Sequence, residues 1–214
     1  MNRVAAALLC LLALGGCGES VVGRSASALG SVLFGNKRPP VTRAQVDESP
    51  YAAILVSVDG GTVAYVVLYG SVGGRQFWIA ADRAVLVTEG GRLVATAGMA
   101  GGRIVDTWFG PPDPLVGPVE LLDGAAGWRQ VDIQPGEVFG LRLDCTMQVT
   151  ARGPQVILER QYELATVEER CRTSGGSSVV NRFWVDPRTG FVWASDQWAG
   201  PAGRVRIEVV KPLG

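Results

Sequence analysis

Cys17 is the residue whose type and position indicate a chemical reaction most directly. It ends the tetrapeptide Leu14-Gly15-Gly16-Cys17, which follows the basic Arg3 and an apolar run from Val4 to Leu14. A positive start, a short apolar segment and small residues are typical of an export signal, whereas a membrane-spanning helix needs about 20 apolar residues. We therefore expect cleavage before Cys17 and acylation of this cysteine, with palmitate for example, which would bury the acyl chains in a membrane. The alternative is an ordinary secretory signal whose cleavage site happens to hold a cysteine.

Cys145 and Cys171 are the second candidates for chemistry. Cys10 leaves with the signal and Cys17 carries the lipid, so these two thiols remain in the mature chain. In an oxidising compartment such a pair forms a disulfide, which would stabilise the fold by about 3 to 4 kcal/mol on the loop-closure model. The alternatives are two free thiols or half of a metal site. Without histidine or a CxxC spacing, the sequence favours the disulfide and predicts no metal and no cofactor.

The absence of histidine from the 214 residues limits the catalytic options. It excludes Ser-His-Asp and Cys-His nucleophile pairs and removes the usual near-neutral general base. Glu159, Glu163, Glu168 and Glu169 are candidates for the paired carboxylates of glycoside chemistry. On a strand, however, Glu159 and Glu163 share one face with Gln161, which is typical of the solvated side of a sheet. The sequence thus predicts that the protein is not an enzyme.

The charge balance offers no sign of a nucleic-acid partner. The chain carries 20 basic and 20 acidic residues, and no basic patch stands out along it. The predicted partners of the protein therefore do not include a nucleic acid.

The six tryptophans suggest what such a partner could be. Aromatic faces stack on sugar rings, so a tryptophan-rich exported β protein suggests contact with a glycan, although large aromatic side chains also fill cores. Trp198 lies beside Gly200-Pro201 and is expected to be the most exposed of the six. Trp198 and Trp108 are the candidates for contact with a glycan or a partner.

The elements that must position these residues are predicted to be short strands. Residues 1–16 form the signal, residues 17–38 the lipidated N-terminus and a flexible tether rich in Gly, Ser and Ala, and residues 39–214 a single β-rich domain. Thr42 and Gln45 have the spacing of a capping box, which predicts a helix of one or two turns that ends before Pro50.

From Ala52 onward, runs of β-branched and aromatic residues alternate with glycine- and proline-rich turns. One of these turns is predicted at Arg152-Gly153-Pro154. The even spacing predicts a mainly β fold, an antiparallel β-barrel or a β-sandwich-like domain with one short N-terminal helix. The predicted strands are Ala53 to Val58, Thr62 to Tyr69, Gln76 to Ala80, Ala84 to Thr88, Arg92 to Ala97, Arg103 to Trp108, Gly127 to Val131, Val138 to Ala151, Gln155 to Val167, Asn181 to Val185, Phe191 to Ser195 and Arg204 to Val210.

Several motifs resemble those of a known family. The signal ending in Cys17, Arg43 before a short helix, and a C-terminal block have the order found in the YjbF lipoproteins, also called group 4 capsule polysaccharide lipoproteins. The block includes Glu168-Glu169-Arg170-Cys171, Asn181-Arg182-Phe183-Trp184-Val185-Asp186 and Gly190-Phe191-Val192-Trp193-Ala194-Ser195-Asp196-Gln197-Trp198, and Leu93 to Gly98 and Val105 to Trp108 also match. Thr96-Ala97-Gly98-Met99-Ala100 departs from the Thr-Arg-Gly-Leu-Gly run that the family often has.

The resemblance implies an outer-membrane lipoprotein encoded with exopolysaccharide or capsule secretion components, with no established enzymatic activity. Its expected partners are the membrane, polysaccharide-export proteins or the polysaccharide itself. Gly18, which stands where inner-membrane lipoproteins commonly have Asp, places the expected anchor in the outer membrane, facing the periplasm.

Two alternatives stay open. One is a lipid or lipoprotein carrier with an apolar β-barrel cavity, since Ala53 to Val58 and Thr62 to Leu68 are apolar on both faces. The other is a carboxylate-dependent glycan-modifying enzyme.

Overall fold

The computed structural model describes residues 39–214; the signal, Cys17 and the predicted tether lie outside the described residues. Helix α1 (Arg43–Glu48) begins at the predicted capping box, with the Thr42 backbone N–H donating to Gln45 Oε1 over 2.8 Å. Two single-turn 3-10 helices follow later in the described residues, at Val119–Leu121 and Gly200–Ala202. None of the helices described is long and apolar enough to cross a membrane.

Twelve strands make up the rest of the regular structure within residues 39–214. They are β1 (Ala53–Val58), β2 (Ala64–Val72), β3 (Arg75–Ile79), β4 (Val85–Glu89), β5 (Arg92–Ala97), β6 (Arg103–Phe109), β7 (Ala126–Gln134), β8 (Val138–Ile157), β9 (Arg160–Thr173), β10 (Ser178–Val185), β11 (Val192–Trp198) and β12 (Arg204–Lys211). The predicted bounds of β1 and β5 are confirmed.

All twelve strands belong to one antiparallel sheet, in the order β5-β4-β3-β2-β1-β12-β11-β10-β9-β8-β7-β6. The sheet bends until its edge strands β5 and β6 lie side by side, where the Ile104 N–H donates to Thr96 Oγ1 over 3.0 Å. We call this junction of β5 and β6 the seam. The result is a nearly closed antiparallel barrel, which confirms the predicted fold class.

β1 is buried on both faces, which is why its sequence is apolar without alternation. Ile54 and Val56 point into the barrel and belong to its main core, together with Trp78 and Ile104. The neighbours of Ile54 on the chain, such as Leu55, face outward into a second apolar cluster, which contains Val46 of α1 and the tip of the β8–β9 hairpin. The barrel therefore has an outer cover over β1 and β12.

The predicted turn at Arg152-Gly153-Pro154 is wrong. β8 runs through these residues to Ile157, with Pro154 opposite Glu163 of β9. Among residues 39–214, β9 alone pairs with β8 past Val149, so a residue without an N–H can lie where no second strand needs a donor. The chain turns instead at Leu158-Glu159, where both residues have positive φ, 39° and 70°. Two-residue hairpins need such angles but usually have Asn and Gly there, so Leu158 and Glu159 are not a recognisable turn signal.

Arg43 holds this unusual turn in place. Its side chain is 8% exposed and donates to the carbonyl oxygens of Leu158 (3.0 Å), Ile157 (3.3 Å) and Val210 of β12 (2.6 Å). One guanidinium thus joins α1, the hairpin tip and the last strand. Charge-assisted donors to backbone oxygens are among the stronger hydrogen bonds in proteins.

We expect Arg43→Ala to lower the free energy of unfolding by about 2 to 4 kcal/mol, because it leaves buried carbonyl oxygens without donors. Urea denaturation followed by tryptophan fluorescence measures the change. Arg160→Ala is the matched control: Arg160 pairs with Asp47 over 2.7 Å, but its side chain is 52% exposed, and such surface pairs contribute less than about 1 kcal/mol. Equal effects of the two variants would contradict the assigned role of Arg43.

Candidate functional site

A groove of about 360 Å³ lies beside β6, at the end of the barrel where the β4–β5 turn meets the loop after β6. We call it the Trp108 groove. Trp108 and Phe109 line it together with Pro111 and Pro112, and the charged side chains of the groove are Arg75, Glu89 and Asp113.

Strand alternation places Trp108 on the outside of the barrel. Its neighbour Thr107 pairs with Val131 and is buried, while Trp108 pairs with Gln130 and is 45% exposed. The other five tryptophans are all less exposed. The expectation that Trp198 is the most exposed is therefore wrong, because Trp198 packs against the main core and is only partly exposed.

Arg75 forms one wall of the groove and is held by two carboxylates. Its Nε donates to Glu89 Oε2 over 3.0 Å and its Nη1 to Asp106 Oδ1 over 2.8 Å. A third bond, from Nη2 to the Thr107 carbonyl oxygen, reaches β6 over 3.3 Å. Since Arg75 starts β3 and Asp106 lies on β6, these bonds also tie the two sides of the seam together.

The floor of the groove is fixed by a buried arginine. Arg92 on β5 is 1% exposed and donates to both oxygens of Asp113, over 2.6 and 2.8 Å. Its third bond goes to Glu169 of β9 over 2.8 Å, and its guanidinium carbon lies 4.9 Å from the centre of the Phe109 ring. The loop residue Asp113 is thereby connected to β9 through the barrel interior.

Glu169 is the centre of this buried network. It is 2% exposed, and its Oε2 accepts a 2.7 Å hydrogen bond from Asn181 Nδ2. Burial by itself raises the pKa of Glu169, but the charges of Arg92 and Arg129 and the bond from Asn181 outweigh it and lower the pKa from 4.5 to about 2. The carboxylate is therefore charged at every physiological pH.

Arg129 is the least satisfied member of the network. It is 4% exposed, and its Nη1 lies 3.7 Å from Glu169 Oε2. Burial lowers the pKa of Arg129 and the nearby positive charge of Arg92 adds to this, although Glu169 and Asp113 oppose both effects. The Nε and Nη2 atoms of Arg129 and the hydroxyl of Thr107 find no hydrogen-bond partner among residues 39–214.

The side chain of Gln197 makes hydrogen bonds to the edge of β5 of the kind that a neighbouring strand would make. Its Oε1 accepts from the Leu93 N–H over 3.0 Å, and its Nε2 donates over 2.9 Å to both the Gly91 carbonyl oxygen and Ser195 Oγ. An amide side chain thus pairs with the edge of β5 where no backbone does.

Sequence reasoning used Asn181, Ser195 and Gln197 only as part of a resemblance and missed their buried hydrogen bonding, in which Asn181 donates to Glu169 and Gln197 bonds to Ser195 and to the Leu93 N–H. The signal that could have revealed it is the pattern of polar residues at inward positions of otherwise apolar strands. All three side chains are at most 2% exposed.

Cys145 and Cys171 are directly opposite each other on β8 and β9, and they form a buried disulfide with the sulfurs 2.07 Å apart. Ligand atoms of these two residues and of Glu169 lie within 4.8 Å of one another. Because the two sulfurs are bonded to each other, the trio leaves only one carboxylate for a cation, and Arg92 and Asn181 already occupy that carboxylate.

The glutamates proposed as a catalytic pair are not brought together in the groove. Glu159 and Glu163 are exposed on the β8–β9 hairpin, Glu168 pairs with Arg182 over 2.9 Å, and Glu169 is buried. A glycoside hydrolase needs a carboxyl group that is free to donate a proton. The groove carboxylates accept hydrogen bonds from arginines instead, so the groove places an aromatic side chain beside fixed charged groups.

Comparison with known proteins shows which family this chain is similar to. The family model described as "Group 4 capsule polysaccharide lipoprotein gfcB, YjbF" matches residues 26–210. The uncharacterized lipoprotein YjbF of Escherichia coli K12 is 30% identical over 210 residues, which span 94% of this chain and 92% of that protein. The uncharacterized lipoprotein GfcB of the same organism is 29% identical over 180 residues, 83% of each chain.

A solved structure shares the fold. The crystal structure of the hypothetical lipoprotein YmcC from Escherichia coli K12 superimposes with a TM-score of 0.73 at 24% identity, over 93% of this chain and 100% of that one. The barrel is thus a fold that has been observed by experiment in another lipoprotein.

Because the pKa of Glu169 is lowered in the folded protein, the free energy of unfolding depends on pH. The carboxylate contributes fully above pH 4.5, and its contribution is lost as the pH falls from 4.5 through the folded-state pKa of about 2. We expect the free energy of unfolding to fall by about 3 kcal/mol across this range. Urea denaturation at several pH values from 6 to 2 measures the slope.

Glu169→Gln should remove most of that slope and cost about 3 to 5 kcal/mol at neutral pH, because it leaves two buried arginine charges under-compensated. Glu163→Gln, on the exposed face of the same strand, is the control and should behave like the unmodified protein. A Glu169→Gln variant that keeps the full acid sensitivity would contradict the role of this carboxylate.

Proposed function

Because the chain belongs to the group 4 capsule polysaccharide lipoprotein family, YjbF, we propose that it is a non-enzymatic accessory lipoprotein in the secretion or assembly of an exopolysaccharide or capsule. The family description supports the link to capsule polysaccharide. The histidine-free sequence and the arginine-paired carboxylates of the Trp108 groove support a binding role. The polysaccharide or a polysaccharide-export protein is the proposed partner.

The observation that carries the proposal is the exposed Trp108 in a groove walled by fixed polar groups. A pyranose ring has apolar C–H faces and a polar rim of hydroxyls. An aromatic face with hydrogen-bonding groups at its edge matches both surfaces at once. Glu89 and Asp113 offer acceptors to hydroxyl groups, and Arg75 offers donors.

The rigidity of the groove favours this function. Arg92 fixes Asp113, and Asp106 fixes Arg75, so that binding a sugar does not require these side chains to be ordered first. Groups that are ordered before binding lose less conformational entropy on association.

The proposed location follows from the N-terminal sequence. We propose that Cys17 is acylated and that Gly18 at the following position permits transfer to the inner leaflet of the outer membrane. The domain would then face the periplasm, where a polysaccharide passes on its way out. Residues 17–38 would give it reach towards an export complex.

Replacing Trp108 tests the groove. We expect Trp108→Ala to weaken binding of the producing strain's own purified polysaccharide by the full-length mature lipoprotein at least about tenfold, since stacking of an aromatic face is lost. Trp108→Phe should retain most of the affinity, and binding is measured by isothermal titration calorimetry. Tyr69→Ala, on an 80% exposed aromatic residue of β2 outside the groove, is the matched control.

The cellular counterpart uses a deletion strain complemented with the same variants. Secreted polysaccharide should drop with Trp108→Ala and stay normal with Tyr69→Ala. If the deletion itself leaves secretion unchanged and a pull-down from detergent-solubilised membranes recovers no export component, the proposed function is wrong.

Cys17→Ser tests the anchor. We expect the variant to lose metabolic labelling with radioactive palmitate, because a serine hydroxyl at this position is not acylated by the lipoprotein pathway. We expect fractionation on a sucrose gradient to place the unmodified protein in the outer membrane. Gly18→Asp is the companion variant, and it should shift the labelled protein to the inner membrane.

A further inference from the structure

A second cavity lies at the other end of the barrel from the Trp108 groove. It measures about 620 Å³ and opens between the β1–β2 turn, the β3–β4 turn and the β5–β6 connection. We call it the apolar mouth. Its inner wall is formed by Val56, Val66 and Leu86, side chains that also belong to the main core. The mouth is therefore a blind recess above a packed interior.

The lining chemistry favours an apolar ligand. Small residues, among them Ala64 and Ala84, leave the recess open, and Met99 supplies a flexible thioether that adapts to apolar shapes. Among residues 39–214, no Lys or Arg lines the recess. Pockets of about 300 to 1,000 Å³ with mostly apolar walls are the usual size for small-molecule ligands.

The rim restricts the head group of such a ligand. The charged residues of the lining are Asp59 and Asp82. Each carboxylate already accepts a backbone hydrogen bond, Asp59 from Arg204 over 2.8 Å and Asp82 from Ala84 over 3.0 Å. Two carboxylates at the rim disfavour an anionic head group and are compatible with a neutral or zwitterionic one.

The position of the first described residue indicates the source of the ligand. Pro39, the first described residue, lines a smaller cavity together with Ser57 of β1 and with Gly60 and Gly61 of the β1–β2 turn. Ser57 also lines the apolar mouth. The described part of the chain therefore begins beside the rim of the mouth, a short stretch of sequence after Cys17, the predicted acylation site.

From these observations we infer that the apolar mouth binds one acyl chain of a neutral or zwitterionic lipid of the anchoring membrane. The chain enters the recess between Val66 and Leu86, and the head group stays at the rim. This contact orients the anchor end of the barrel towards the bilayer and leaves the Trp108 groove directed away from it. The inference concerns a different site from the proposed glycan contact and does not depend on it.

A displacement experiment tests this site. The full-length Cys17→Ser protein is loaded with the apolar fluorophore N-phenyl-1-naphthylamine, so that no acyl chain of its own competes. We expect 1-palmitoylglycerol to displace the fluorophore at concentrations at least about tenfold lower than palmitate does, because the palmitate carboxylate would lie at the rim beside the negative charges of Asp59 and Asp82. Equal displacement by the two ligands, or no displacement by either, overturns the inference.

Variants in which a tryptophan side chain fills the apolar mouth provide a second test. Ala64→Trp and Ala84→Trp should each weaken fluorophore binding at least about tenfold, whereas Ala126→Trp, at an exposed position of β7, should not change it. Unchanged binding in both filled variants overturns the inference. Trp108→Ala should also leave displacement unchanged, so that failure here and failure of the glycan proposal are distinguishable.

Photocrosslinking provides a readout that does not depend on the folding of a variant. The unmodified lipoprotein is reconstituted in phosphatidylethanolamine vesicles that contain a phospholipid with a photoactivatable group at the end of one acyl chain. We expect crosslinked peptides from residues 56–66 and 80–100. Crosslinks confined to the region around the Trp108 groove, or none within the domain, overturn the inference.

Discussion

A sheet of twelve strands that closes on itself must satisfy the backbone groups of its two edge strands, and in this protein buried side chains contribute much of that closure. Arg92 is the principal one. Its guanidinium connects β5 to Asp113 in the loop after β6 and to Glu169 on β9, with Phe109 and Phe183 packed against it. Burying this charge is costly unless every bond is made, so the network ties the position of the seam to a single arrangement of side chains.

The candidate glycan site depends on the same network. Asp113 lies on the floor of the Trp108 groove and also belongs to the buried cluster, so the groove takes its shape from contacts in the barrel interior. Arg75 adds a second connection across the seam from the outside. Closure of the barrel and the shape of the groove therefore depend on the same contacts, and a change that loosens the seam would alter both.

The opposite end of the barrel has a different character. There the turns are rich in small residues, and the recess between them is apolar. The outer cover of β1 and β12, held by Arg43, keeps the start of the domain close to that recess. The proposed lipid contact and the proposed glycan contact therefore lie at opposite ends of the barrel. One continuous meander produces both ends, because successive turns between its strands alternate from one end to the other.

The sequence by itself determined the local features of the protein. The capping box of α1, the positions of most strands and the mainly β antiparallel fold follow from residue types at short spacing, because turn chemistry and strand alternation act over a few residues. The pairing of Cys145 with Cys171 follows from the cysteine count, since these are the two thiols that remain once Cys10 and Cys17 are assigned to the signal and the lipid. The family membership was also readable from the order of short motifs.

Only the tertiary structure decided which distant residues meet. Leu158-Glu159 turns without a glycine because Arg43, far away in the chain, holds its carbonyl oxygens. Trp198 is packed against the core, and Trp108 is exposed instead, because the closure of the sheet sets what covers each strand face. Arg92, Glu169 and Gln197 carry no local signal of their contacts across the barrel. The bond of Arg92 to Glu169 and the bond of Gln197 to the Leu93 N–H exist only once β5 faces β9 and β11, and side-chain spacing along a chain does not encode that distance.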